Sequence, residues 1–236
     1  MAKRTGSETL AVNVYEQLRS AILNGGFAPG ERLKSVELAQ NFGVSLGVMR
    51  EAFGLLAAQN LARIDRNRGC SVPPLSLQAL ENLTSARKIN EGAALRLSVE
   101  RGGVTWESEI LAAHHRMATR PMFLRENPAA RNEEWALAHM GFHHKLIEAC
   151  DNPVLLDICD RLSDAAELYR AWSGIGTGEI HRDVAGEHQA LLEAALGHDA
   201  DRAVDLFGAH VDRTKAILME SDFWTAETDR EATNSI

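Results

Sequence analysis

The chain has 236 residues, of which 45% are hydrophobic, and a formal net charge of -8 at pH 7; that is apolar material enough for one large or two modest cored domains. No apolar run reaches signal-peptide or transmembrane length, and the three cysteines, Cys70, Cys150 and Cys159, show no CxxC spacing, so a reduced, cytoplasmic protein without membrane association is expected. Residues 1–74 carry nine Lys/Arg against six Asp/Glu (net +3) and the remainder 16 against 27 (net -11), which excludes a uniformly basic nucleic-acid binder and directs any polyanion to the first segment.

In chain order, Leu10, Val14, Leu18, Ala21 and Ile22 form one side of a first helix that Asn24-Gly25-Gly26 ends. Phe27 to Gly30 is a turn, Val36 to Asn41 a short helix, and Ser45 the N-cap of a third helix with Met49, Ala52, Phe53 and Leu56 on its apolar face. Two short extended segments, 62–65 and 69–72, flank Arg66-Asn67-Arg68-Gly69. Three helices followed by a basic hairpin read as a winged helix-turn-helix. On the third helix, Leu46, Gly47, Arg50 and Gly54 lie opposite the apolar face and would enter a major groove. Arg50 is the candidate base or phosphate contact, the alternative being an ion pair with a nearby acid. Ser45 suits a phosphate, while Lys34, Ser35, Arg66 and Arg68 suit the flanking backbone and minor groove.

Residues 14–72 resemble the DNA-binding domain of GntR-type bacterial transcription regulators. The resemblance is carried by Ile22 to Leu33, Glu37-Leu38-Ala39, Gly43-Val44-Ser45, Arg50-Glu51-Ala52 and the wing Arg68-Gly69. Where that family usually has Arg-Thr-Pro this chain has Leu46-Gly47-Val48. Leucine can touch a thymine methyl but cannot bind a guanine edge bidentately, an interaction worth roughly 1–3 kcal/mol of discrimination. An unusual operator, or weaker binding than the family norm, is expected.

After Pro73-Pro74 the pattern is helical. Ser76 starts a helix ending at Arg101-Gly102-Gly103, Thr105 starts another, and Asn127-Pro128 and Asn152-Pro153 each supply an N-cap followed by proline. Residues 173–178 are glycine-rich, and Gly197-His198-Asp199 separates the last two helices. The expected fold is mainly α: a winged helix-turn-helix over 1–74, an all-α antiparallel helical bundle over 75–225 and a flexible tail over 226–236.

The stretch AHMGFHHKL, 138–146, holds three of nine histidines. His139 and His143, four apart, project from one helix face, and His144 is turned about 100° away. His188 and His210 lie symmetrically about Asp199 and would sit at one height in a helical hairpin. Four imidazoles so placed could hold a divalent transition metal, with Zn or Ni expected, although isolated histidines are also packed or exposed without one. His114 and His115 are expected at the surface.

Residues 76–219 resemble the FCD effector domain that accompanies this winged helix in the FadR-type subgroup of GntR regulators. The segments concerned are Arg87 to Glu91 with Ala93-Ala94, Phe142 to Leu146 with Asn152-Pro153, and Glu187-His188 with His210. The resemblance implies a homodimer that binds operator DNA and takes a small carboxylate near the metal. His139 stands where the family usually has Asp or Asn. Arg87 would clamp the effector with Glu91 beside it, or simply pair with Glu91 one turn on. Tyr169, Arg170 and Trp172 would line the same pocket, although core packing accounts equally for Tyr169 and Trp172. Two other possibilities are a metal-dependent enzyme with a vestigial DNA-binding domain and a regulator whose metal is purely structural.

Overall fold

The computed structural model describes residues 5–66, 69–126, 131–172, 182–221 and Trp224. The glycine-rich stretch 173–178, Asn127-Pro128, Arg68 and the tail expected at 226–236 lie outside them. By internal contacts the chain forms two units, 1–76 with 164–172, and 77–163 with 173–236.

The first unit contains α1 (Thr5–Leu23), β1 (Arg32–Leu33), α2 (Ser35–Asn41), α3 (Leu46–Ala58), β2 (Arg63–Asp65) and β3 (Gly69–Ser71). At the end of α1, Gly26 N donates to Ala21 O (2.8 Å) and Gly25 N to Ile22 O (3.1 Å), which satisfies orphan carbonyls and stops the helix where the glycines predicted. Gly43 makes the tight turn between α2 and α3 at φ +64°, a conformation that costs glycine nothing. Ser45 caps α3 by accepting from Val48 N at 3.3 Å. The buried face of α3, Val48, Met49, Ala52, Phe53 and Leu56, meets α1, whose Leu18 and Ile22 are also buried. The antiparallel sheet runs β1-β3-β2, with Arg32 and Arg63 both opposite Ser71. The sequence gives no expectation of β1, because two residues are too few to show a period-2 pattern. This is the expected winged helix-turn-helix.

Also in this unit is the C-terminal part of α7 (Pro153–Trp172), from Asp164 onward. Arg19 grips Asp164 through Nε to Oδ2 (3.0 Å) and Nη2 to Oδ1. Tyr169 Oη donates to Ser76 O at 3.2 Å.

The second unit is helical: α4 (Leu77–Arg101), α5 (Val104–Ala118), α6 (Glu133–Glu148), the N-terminal part of α7, α8 (Val184–Leu196) and α9 (Ala200–Met219). α4 packs on α6 and α9, α5 on α6 and α8, and α8 on α9. Ile110, Phe142, Leu146, Leu191 and Phe207 lie in its core with Cys150 and Cys159. Trp106 ties α5 to α6 by donating from Nε1 to Lys145 O at 2.8 Å.

Caps decide where the histidine-bearing helices begin. α6 starts at Glu133 rather than near Pro128, because Asn132 Oδ1 takes the Glu134 N–H (3.1 Å). α5 opens at Val104 behind Gly103, one residue before Thr105. Asp183 Oδ1 accepts from Gly186 N (2.9 Å) at the head of α8, and Asp199 Oδ1 from Arg202 N (3.0 Å) at the head of α9. Between those two helices the left-handed residue is His198 (φ +52°), not Gly197. Its ring holds the turn, with Nδ1 2.7 Å from Val99 O and Nε2 3.1 Å from Glu107 Oε1.

Candidate nucleic-acid interface and histidine centre

On the first unit, Leu46, Gly47 and Arg50 are exposed at the start of α3, with Ser45 just before them. Arg50, Lys34, Ser35, Arg66 and Gly69 line a groove of about 750 Å³ together with Arg32. Arg32 is an addition to the sequence-derived set: in β1, Leu33 is buried and Arg32 faces out, so a strand too short to predict aims a fifth polar contact. Gly69 has φ +82°, and a Cβ there would lie 4.0 Å from Arg32 Nη2. Among the described residues Arg50 is in no ion pair, whereas Lys34 Nζ lies 3.1 Å from Glu37 Oε1, both side chains well exposed. Such a surface pair is worth at most about 1 kcal/mol and yields readily to a phosphate.

In the second unit, His139 and His143 of α6, His188 of α8 and His210 of α9 are all buried, and each offers one ring nitrogen within 4.8 Å of the others. His143 Nε2 is central, 3.1 Å from His139 Nε2 and 3.2 Å from His188 Nε2. One ring nitrogen has a single proton or a single lone pair to offer, yet this one faces two partners. A cation answers all of them at once, and neighbouring ligands each about 2.0–2.1 Å from one tetrahedral ion would stand roughly 3.3–3.4 Å apart, only slightly wider than the contacts here. Burial pushes His188 down to about 3, so its imidazole is neutral, as ligation requires. The donor set therefore fits a divalent transition ion.

The surrounding groups orient these rings. His210 Nδ1 lies 2.8 Å from Glu187 Oε2. Arg182 Nη2, which only donates, also lies 3.1 Å from Nδ1, but the nearer partner is the carboxylate, which only accepts, and it favours a proton on Nδ1 with Nε2 left toward the cluster. Glu187 is itself held by Arg182, through Nε to Oε1 (2.8 Å) and Nη2 to Oε2 (2.5 Å), and by Arg213 Nη1 (3.3 Å). Arg182 also donates from Nη1 to Thr214 Oγ1 and from Nη2 to His210 O, each at 3.0 Å. The sequence reading left Arg182 out; its only local signal is an acid five residues on. Trp135 stacks on His139 at 4.7 Å between ring centroids and 13° between planes. His144 points away from the cluster to Asp160 Oδ1 (2.9 Å), a hydrogen bond that raises its pKa.

Of the four residues assigned to the effector, Arg87 and Glu91 lie in the second unit and Tyr169 and Arg170 in the first. Arg87 donates from Nε and Nη2 to the two oxygens of Glu91 (2.6 and 2.9 Å), and both residues are buried. Tyr169 and Arg170 belong to the first unit, where Arg170 Nε donates to buried Glu167 (2.9 Å). A cavity of about 480 Å³ lies elsewhere in the second unit, bordered by His188, Trp135, His114, Met117, Met122 and Val184 among others. His114 is thus half-buried rather than at the surface, edge-on to Phe142 at 5.3 Å. Burial, and then His115 beside it, lowers its pKa. His115 is exposed, as expected.

A winged helix followed by a helical bundle is the architecture of a two-part DNA-binding regulator. Two family models match the chain accordingly: "Bacterial regulatory proteins, gntR family" over residues 10–72 and "FCD domain" over residues 82–213. The chain belongs to the GntR family of transcription regulators, with an FCD domain. It is 32% identical over 206 residues to the HTH-type transcriptional regulator BphR of Paraburkholderia xenovorans (strain LB400), a match covering 87% of this chain and 84% of that protein. To the HTH-type transcriptional repressor GlaR of Escherichia coli (strain K12) it is 31% identical over 202 residues, 84% and 90% of the two chains. Among solved structures, E. coli McbR/YncC superposes with a TM-score of 0.75 over 89% of this chain and 97% of its own at 20% identity; at that identity the likeness speaks for the fold alone. The comparisons point to a DNA-binding transcription regulator and not to an enzyme. Among the described residues, no helix is long and apolar enough to cross a membrane.

Proposed function

We propose that this regulator binds operator DNA as a homodimer and that a small organic acid modulates the binding, at or beside a divalent transition ion, Zn or Ni, on His139, His143, His188 and His210. The observation that carries the reading is the convergence of four buried ring nitrogens, with Glu187 fixing the tautomer of one. When bound, the ion supplies a fixed positive charge that attracts an acid group. Arg182, Glu187 and Thr214 hold the ring of His210 in place, and Trp135 braces that of His139. On the other unit Arg32, Lys34, Arg50 and Arg66 meet the phosphate backbone and base edges, with Ser45 at the head of α3 taking a phosphate. Ligand becomes control only if the DNA-competent and incompetent states bind it unequally.

The test is fluorescence anisotropy with labelled fragments of DNA upstream of the regulator's own gene, at two salt concentrations, with and without a metal chelator. Fragment-selective binding that weakens with salt and changes on chelation is expected. Selective binding indifferent to chelator and to a panel of carboxylates overturns the metal and effector reading in favour of a structural centre.

A further inference from the structure

The cavity beside the histidine centre has a one-sided chemistry. Its inner boundary is shared with the centre: His188 belongs to both, and Trp135, another lining residue, is the ring that stacks on His139. Met117, Ala118, Met122 and Val184 make the rest of the wall mainly apolar, with the His114 ring and Gln189 as its polar positions. Arg120 also lines it, but its guanidinium is turned to Arg116 O through Nη1 and toward Glu134 (Nε to Oε2, 3.6 Å). About 480 Å³ falls in the roughly 300–1,000 Å³ range that accepts a small organic ligand.

We infer that the ligand of this cavity is a monocarboxylate with an apolar, unhydroxylated body, an arylacetate or a branched short-chain acid, and that Met117, Met122, Trp135 and Val184 select against polyhydroxy acids. The inference rests on the proposed effector reading for the direction of the ligand, its acid group toward the histidine centre. With that end polar, the body lies along thioethers, an indole and a valine. These offer dispersion contacts to a ring or branched chain, but to hydroxyls only the single indole N–H and the weak thioether acceptors, fewer partners than a polyhydroxy acid needs. Each hydroxyl stripped of water there and left unpartnered costs on the order of tenfold or more in affinity, so an acid with several is excluded. The two methionines adapt to the ligand's outline, so shape is read loosely and polarity strictly.

The test uses the full-length, metal-loaded protein and three probes, phenylacetate, isovalerate and gluconate, followed by isothermal titration calorimetry and, separately, by operator anisotropy. Phenylacetate or isovalerate is expected to bind at least tenfold more tightly than gluconate. Met122→Gln should erode that preference several-fold and Met122→Leu should keep it, each variant having wild-type circular dichroism. Gluconate binding as well as or better than the apolar acids, or no binding by any probe at millimolar concentration, overturns the inference. An unchanged preference in Met122→Gln overturns the assignment of the wall. If the apolar acids bind with the expected preference while operator affinity does not move, the ligand class stands and it is the effector reading that fails.

Discussion

Replacing His143 by alanine removes the hub of the centre, the nitrogen 3.1 and 3.2 Å from two of its partners. A ligand that binds only the folded state stabilises it by RT ln(1 + [L]/Kd), about 4.1 kcal/mol at a thousandfold excess over Kd. For domains of 150–250 residues each kcal/mol moves Tm by about 2–4 °C, so the wild-type protein should gain about 8–16 °C on metal loading at that excess. Loss of an orienting partner alone typically costs 10–100-fold in metal affinity, and loss of the central ligand should reach at least the upper figure. At the same metal concentration the variant then retains about 1.4 kcal/mol, or about 3–6 °C. The assay is differential scanning fluorimetry of both proteins with chelator and with added Zn or Ni. The readout is the difference between the two conditions, so any cost of the missing ring to the metal-free fold cancels. Equal metal-induced shifts in wild type and variant would refute the reasoning, as would no shift in either.

Arg50→Ala should lower operator affinity by about 1–3 kcal/mol if it reads a base, or flatten the salt dependence by roughly one counterion if it meets a phosphate; anisotropy across a salt series separates these, and no change in either sets Arg50 outside the interface. Leu46→Arg should alter site preference, because Leu46 is exposed beside Arg50, and a selection from random operators yielding the wild-type motif would place it off the base edges. Glu187→Gln, which keeps shape but not charge, should weaken metal binding about 10–100-fold, measured by competition with a chelating dye; wild-type affinity would mean that the Nδ1 contact does not set the tautomer. His198 has its pKa raised from 6.5, first by Val99 O and then by Glu107, so it favours the folded state when protonated: its contribution is complete below pH 6.5 and disappears as pH rises through the raised folded value. The stability gap between wild type and His198→Asn, from urea melts, should narrow as pH rises above 6.5, and a gap that widens would reverse the assignment.

What could be read in the sequence was what is decided locally. The N-caps at Ser45 and Asn152 and the stop at Gly25-Gly26 depend on a few consecutive residues, so those helix boundaries could be read from them. His139 and His143 share a face by period alone, and the symmetry of His188 and His210 about Asp199 survives because the α8–α9 turn is short. Misses arise where a long-range partner decides. β1 exists only because β3 supplies its hydrogen bonds, and Arg32 becomes part of the groove with it. His114 looked like surface because it adjoins His115 and Arg116. However, adjacent positions on a helix differ by about 100°, and His114 is the one of the pair on the side of Ile110 and Met117. The partnership of Arg87 with Glu91 was visible as an i,i+4 pair, but whether it was the end of the matter was not, since nothing in the spacing shows that both would be buried.

His139, where the resemblance implies an Asp or Asn, gives the centre a fourth imidazole in place of an oxygen ligand, and the surrounding groups do not add a free negative charge. The four residues that would hold an ion are all imidazoles, which bind a metal in their neutral form. The nearest carboxylate in the shell around them, Glu187, is already gripped by Arg182 and approached by Arg213, so it does not offset an ion's charge beyond its bond to His210. A divalent ion here would keep nearly its full +2 toward the adjoining cavity, whose wall is mainly apolar and screens it weakly. In such surroundings a carboxylate is favoured more strongly than at a centre that already contains one. Restoring the acid by His139→Asp should therefore keep ion binding while weakening carboxylate binding; a variant that loses the ion but still binds the acid would show that the acid is held by other groups.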